Sequence, residues 1–151
     1  MYIGYYKSPI GLIEIGCDEK NILKLNFVDS KLELEKKNDL LVLCLEELDE
    51  YFLGKRKTFS VPCAFNGTEF QKSVWIALTK IPYGDTCTYK DIAINIGNPK
   101  AVRAVGGANN KNKISIILPC HRVIGSNGNL IGYGGELWRK EWLLEHEKNY
   151  L

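Results

Sequence analysis

The only histidines of this chain are His121 and His146, and the first stands next to a cysteine able to cooperate with it: Cys120 and His121, in the run Pro119-Cys120-His121-Arg122-Val123. A cysteine is inert as a buried thiol and reactive where a neighbouring base or positive charge favours the thiolate. Cys120 has both kinds of neighbour, which makes it the candidate nucleophile. Successive side chains of an extended segment point to opposite faces, so His121 is expected not to grip the Cys120 sulfur directly. A bridging water would take the thiol proton and pass it to the imidazole, whose far nitrogen needs an acceptor to fix its tautomer. Glu147 is the candidate for that orienting role, with an exposed helix-end acid as the alternative reading.

The other cysteines, Cys17, Cys44, Cys63 and Cys87, are widely spaced, with no C-x-x-C pair and no zinc-finger cluster. Neither a disulfide framework nor a metal site is expected. The net charge of +2 is too small to imply a polyanion partner, but its distribution is uneven. Residues 1–67 carry 11 acidic and 9 basic side chains, whereas 68–151 carry 7 acidic and 11 basic. No Asp or Glu occurs from Ile92 to Gly135, while Lys100, Arg103, Lys111, Lys113 and Arg122 all fall there. Such a stretch suits a surface that meets phosphates; a chance fluctuation in charge is the alternative.

The elements that must position these residues follow from pattern. Tyr2 to Val28 is rich in β-formers, with turn signals at Ser8-Pro9 and Asp18 to Asn21, and reads as two or three antiparallel strands. From Asp39 to Phe52 the apolar residues recur three and four apart, giving a helix that covers the sheet and ends at Gly54. A connection over 55–67 leads to a mainly helical half. Thr68 with Gln71 and Thr88 with Asp91 have capping-box spacing. The second box opens a short helix, Tyr89 to Ile96; Gly97 then turns the chain, and Asn98 followed by Pro99 should start the next helix. Two short helices joined by a glycine turn match a helix-turn-helix, about 89–109. Ile114 to Leu118 reads as a buried strand delivering Cys120, and 125–135 as a glycine-rich loop able to fold around a flat ligand. A last helix, Leu137 to about Lys148, should bury Trp142 and Leu144.

Taken together, Ile81-Pro82-Tyr83-Gly84, Thr88-Tyr89, Asn98-Pro99-Lys100-Ala101-Val102-Arg103-Ala104-Val105-Gly106, the Pro119 to Val123 run and Lys140-Glu141-Trp142-Leu143-Leu144-Glu145-His146-Glu147 resemble a known family. The stretch from Phe70 to Glu147 is similar to the O6-alkylguanine-DNA alkyltransferases, also called methylated-DNA-protein-cysteine methyltransferases. The first half is similar in element order and in Ser8-Pro9-Ile10-Gly11. The resemblance implies an α+β protein: a small ribonuclease-H-like sheet-plus-helix unit, 1–65, serving as scaffold, followed by a winged helix-turn-helix-like domain, 66–151, for DNA binding and catalysis.

The implied activity is repair of O6-alkylguanine, with O4-alkylthymine as a further substrate, by single-use transfer of the alkyl group from a flipped-out base to Cys120. His121, Glu147 and a water would relay the proton, Asn112 would brace the turn before the active site, and Tyr89 would supply a proton towards the base. Arg103 would fill the gap left by the flipped nucleotide. Lys100, Ala104, Gly106 and Arg122 would contact DNA in the minor groove. Tyr89, Val123, Tyr133, Gly134 and Gly135 would line the base pocket. No cofactor is implied, and no metal, since the structural zinc of some relatives would find no ligands in this N-terminal half.

Lys113 and Glu136 depart from the family pattern, at the turn after Asn112 and at the pocket rim. The expected protein is a monomer, cytoplasmic or, in a eukaryote, nuclear, without a membrane segment. Two rival readings stay open: a non-catalytic binder of alkylated DNA, which Cys120 speaks against, and a cysteine hydrolase using His146 as base, which would turn over rather than stop at one equivalent.

Overall fold

Three runs rich in β-forming residues make antiparallel strands in a computed structural model of the chain, which describes residues 1–130 and 136–151. They are β1 (Tyr2–Ser8), β2 (Gly11–Cys17) and β3 (Ile22–Val28), in the order β1-β2-β3. The β1–β2 turn closes at Ser8 opposite Gly11, where φ is +127° and a side chain would be strained. The helix α1 (Asp39–Phe52), capped by the Asn38 side chain on the Leu41 amide, packs against the sheet and buries Leu41, Cys44, Leu48 and Tyr51. Buried Glu47 on α1 accepts from the amide and hydroxyl of Ser60, pinning the connection that follows.

Both expected capping boxes form. Thr68 and Gln71 open α2 (Glu69–Leu78), and Thr88 and Asp91 open α3 (Tyr89–Asn95). Next comes α4 (Val102–Asn110), packed against α2 and α3. It starts three residues later than Asn98-Pro99 suggests. The Asn98 carbonyl is taken by the Ala101 amide in a turn, and the first regular helical bond runs from the Val105 amide to the Ala101 carbonyl.

Ile114 to Leu118 is buried but is not a strand. Only Ile114 bridges to Leu25; the chain then turns, with the Leu118 amide on the Ile114 carbonyl and Ile116 at φ +71°. An apolar run signals burial rather than extension, and here turns satisfy the backbone instead of a ladder. Cys120–Arg122 forms one 3-10 turn that leads into β5 (Val123–Ile124), paired in parallel with β4 (Cys87–Thr88).

The last helix, α5 (Leu137–Asn149), buries Lys140, Leu143, His146 and Glu147, leaving Trp142 and Leu144 half-buried. Trp142 packs against the core beside Phe52 and His146, but the fully buried positions of the helix are mostly polar. One core runs from Ile13, Ile15 and Leu25 of the sheet through Trp75, Leu78 and Val105 to Leu143. No helix among the described residues is long and apolar enough to cross a membrane.

Candidate active site

Pro119 ends the buried turn, and Cys120 begins the 3-10 turn with its residue 4% exposed. A 3-10 turn rotates successive side chains by about 120° rather than 180°. The expected extended segment, with Cys120 and His121 on opposite faces, is therefore replaced by a turn that carries Cys120, His121 and Arg122 inward together. Burial pushes the Cys120 thiol up from its ordinary value, while the Asn112 side chain and the Lys140 charge draw it back.

His121 is fully buried, and its Nε2 lies 2.6 Å from Oε2 of Glu147. Burial pulls the imidazole below its ordinary value, against the opposing pull of Glu147. Burial also pushes the Glu147 carboxyl upward, but the hydrogen bonds and charges of His121 and Arg122 outweigh it and hold Glu147 well below the usual carboxylate range. Glu147 is thus an anion, which requires the hydrogen of neutral His121 to be on Nε2 and leaves the lone pair on Nδ1. Nδ1 has no hydrogen-bond partner among the described residues, so it is the basic atom available to a thiol proton.

Glu147 is the centre of the site. Its Oε1 accepts from Arg122 Nε at 2.8 Å and from the Gly84 amide at 3.1 Å. Its Oε2 accepts from the Tyr51 hydroxyl at 2.7 Å and Arg122 Nη2 at 3.1 Å, besides His121. The carboxylate is buried and anchored, not an exposed helix-end acid.

Asn112 holds the approach to Cys120: its Nδ2 donates to the Leu118 carbonyl at 2.8 Å and its Oδ1 accepts from the Ile114 amide at 2.9 Å. Asn109, on the inner face of α4, donates to the Cys120 carbonyl at 3.3 Å. Tyr89 opens α3 with its side chain buried and its hydroxyl 3.4 Å from Nζ of Lys140. Burial raises the Tyr89 phenol, and burial lowers Lys140, 0% exposed, to about 8.

Arg122 requires a correction. Expected on the DNA surface, it is buried, doubly bonded to Glu147 and donating to the Ile81 carbonyl at 2.7 Å. A guanidinium committed to an internal carboxylate is not available to a phosphate. Lys100, Arg103 and Ala104 are exposed at the start of α4, and a side chain added at Gly106 would come within 3.9 Å of the Tyr89 ring. Val123 is fully buried beside the 3-10 turn. Tyr133, Gly134 and Gly135 lie outside the described residues. His146 is a core residue, with Nε2 2.7 Å from the Tyr51 carbonyl and its ring stacked on Trp142.

Sequence reasoning missed Tyr51, Gly84, Asn109 and Lys140. Tyr51 was hidden in an apolar stripe and Gly84 in a turn. The one signal for Lys140 is its place three residues before Leu143 and seven before Glu147, on a single helix face. Among the described residues no group of three or more His, Cys, Asp or Glu side chains is arranged to hold a metal.

Residues 69–149 match the family model for the DNA binding domain of 6-O-methylguanine DNA methyltransferase, and 1–65 match its ribonuclease-like domain. A methylated-DNA--protein-cysteine methyltransferase of Methanosarcina acetivorans is 50% identical over 97% of this chain and 98% of its own length. The constitutive enzyme of Bacillus subtilis is 43% identical over 97% and 96%. The crystal structure of Mycobacterium tuberculosis OGT in complex with DNA superposes with a TM-score of 0.92 at 41% identity, covering 99% of this chain and 94% of that one. A chain matched by both family models, with relatives this similar along its whole length, belongs to the 6-O-methylguanine DNA methyltransferase family.

Proposed function

We propose that this protein repairs DNA by moving the alkyl group of O6-alkylguanine onto Cys120, once per molecule. The observation that carries the reading is the buried chain Cys120, His121, Glu147, in which an ionised carboxylate fixes a neutral imidazole with Nδ1 free to accept a proton. The thiol proton passes through water to His121 Nδ1. The thiolate sulfur attacks the alkyl carbon in line, an S–C bond forms, and the C–O6 bond breaks with its electron pair going to the base. Tyr89 supplies the proton that the departing guanine takes up, and Lys140 beside its hydroxyl supports that transfer. The thioether is stable, so the thiol is not regenerated and each molecule acts once.

On this reading 1–65 is the smaller part and 66–151, with a helix-turn-helix near 89–109, carries the chemistry. The exposed start of α4 enters the minor groove, Lys100, Ala104 and Gly106 lie against the backbone, and Arg103 fills the space of the flipped nucleotide. Val123, Tyr133, Gly134 and Gly135 line the base pocket, and O4-alkylthymine is a secondary substrate. The protein works as a monomer in the compartment that holds the DNA. A hydrolase using His146 is disfavoured because that ring is committed to the Tyr51 carbonyl and to Trp142.

The test is to incubate the protein with an oligonucleotide containing O6-methylguanine and examine the Cys120 peptide by mass spectrometry. One methyl group on Cys120, at one equivalent per chain, is expected. Absence of that methyl group, or repair by Cys120→Ala, overturns the reading.

A further inference from the structure

We propose that Tyr51, on α1 in the N-terminal half, is a positioning residue of the Cys120 proton relay, because its hydroxyl and His121 Nε2 share one oxygen of Glu147, at 2.7 and 2.6 Å. The proposal rests on the alkyl-transfer reading above.

A carboxylate oxygen offers about two lone-pair directions. Oε2 of Glu147 receives Tyr51, His121 and the more distant Arg122 Nη2, so its donors compete. The more negative charge the Tyr51 hydroxyl takes up, the less Oε2 has for the His121 N–H. His121 then holds a proton on Nδ1 less tightly. Both Tyr51 and Glu147 are buried, where such bonds are strong and water does not replace a lost donor.

Tyr51 is also held in place. Its carbonyl takes His146 Nε2, and its ring packs edge-on to Tyr83 at 6.2 Å and against Phe59 at 5.6 Å. The other charged or titratable groups facing this cluster are Arg122, Tyr83, His146, Tyr150 and Lys140. A phenylalanine would fill the same core position, so packing alone gives no reason for the hydroxyl. The helix that covers the sheet therefore extends into the catalytic machinery of the other half.

The plain alternative is that Tyr51 is a buried tyrosine that uses Glu147 only to satisfy its own hydroxyl. Tyr51→Phe separates the two. Single-turnover methyl transfer to Cys120 is followed against pH, alongside thermal melting and an NMR titration of the His121 ring nitrogens in protein not exposed to DNA. With Tyr51→Phe, Glu147 holds His121 more strongly, so the imidazole pKa and the acid limb of the rate profile are expected to rise together by about half a pH unit or more. Replacing Tyr51 by 3-fluorotyrosine, a stronger donor of the same shape, is expected to move both the other way and keeps the test available if the phenylalanine variant folds poorly.

A change in melting temperature with an unmoved His121 titration in both variants, or shifts of the same sign in both, overturns the proposal. Failure of the wild type to transfer a methyl group would instead overturn the functional reading, and the NMR titration would still decide the coupling.

Discussion

Arg122 and Glu147 form a doubly bonded pair, Nε to Oε1 at 2.8 Å and Nη2 to Oε2 at 3.1 Å, with both side chains buried and the Arg122 guanidinium 5.7 Å from the centre of the Tyr83 ring. Removing one partner strands the other charge without water. Glu147→Ala is expected to cost about 3–5 kcal/mol of stability in urea unfolding, besides abolishing rapid transfer. Replacing both together, Glu147→Leu with Arg122→Met, should recover a large part of that stability and none of the activity. Equal losses in the single and double variants would count against an internal role for Arg122.

The proton relay sets the pH dependence. Burial lowers the His121 pKa below its ordinary 6.5, so the neutral ring persists below that pH. The single-turnover rate should therefore hold as pH falls through 6.5 and decline only beneath it. An acid limb centred above 6.5 would contradict the relay. Stability follows from Glu147, whose folded pKa is depressed. The unfolded chain binds more protons than the native one between the two values, so this contribution is present above about pH 4.5 and fades as pH falls below it.

Lys140 is costly to bury and useful where it is. Its folded pKa of about 8 lies below that of the unfolded chain, so near neutral pH the charged form is penalised by burial. The penalty is relieved as pH rises from about 8 towards 10, where the unfolded state binds more protons. Lys140→Met is expected to stabilise the protein by about 1–3 kcal/mol at pH 7 in chemical denaturation and to slow methyl transfer by roughly tenfold or more. A variant that is both destabilised and fully active would refute this assignment.

Arg103 stands exposed on α4, away from the buried relay. Arg103→Ala should slow repair of duplex DNA more than transfer from the free alkylated base, because only the duplex has a gap to fill. Comparable losses on the two substrates, measured by labelling of Cys120, would argue against that role.

Local sequence determined much of this protein. The capping boxes at Thr68 and Thr88 depend on contacts within a few residues, the stripe along α1 and the β-rich opening on residue type and period, and these elements form where their spacing places them. Cys120, His121 and Glu147 were legible as chemistry because a thiol, an imidazole and a carboxylate have few other uses in such a setting. The sequence misjudged the segment before Cys120, since an apolar run records only that water is excluded. It also misjudged the inner face of α5, where burial is of charged groups whose partners lie far along the chain.

Tertiary structure alone decided those partners. Glu147 gathers Tyr51, Gly84, His121 and Arg122 across separations of 25 to 96 residues. That Arg122 faces inward rather than towards DNA, and that a tyrosine of the covering helix reaches the relay, depends on which donors the fold brings within about 3 Å of one buried carboxylate. Such a distance is set by packing, to which residue type and spacing give no direct access.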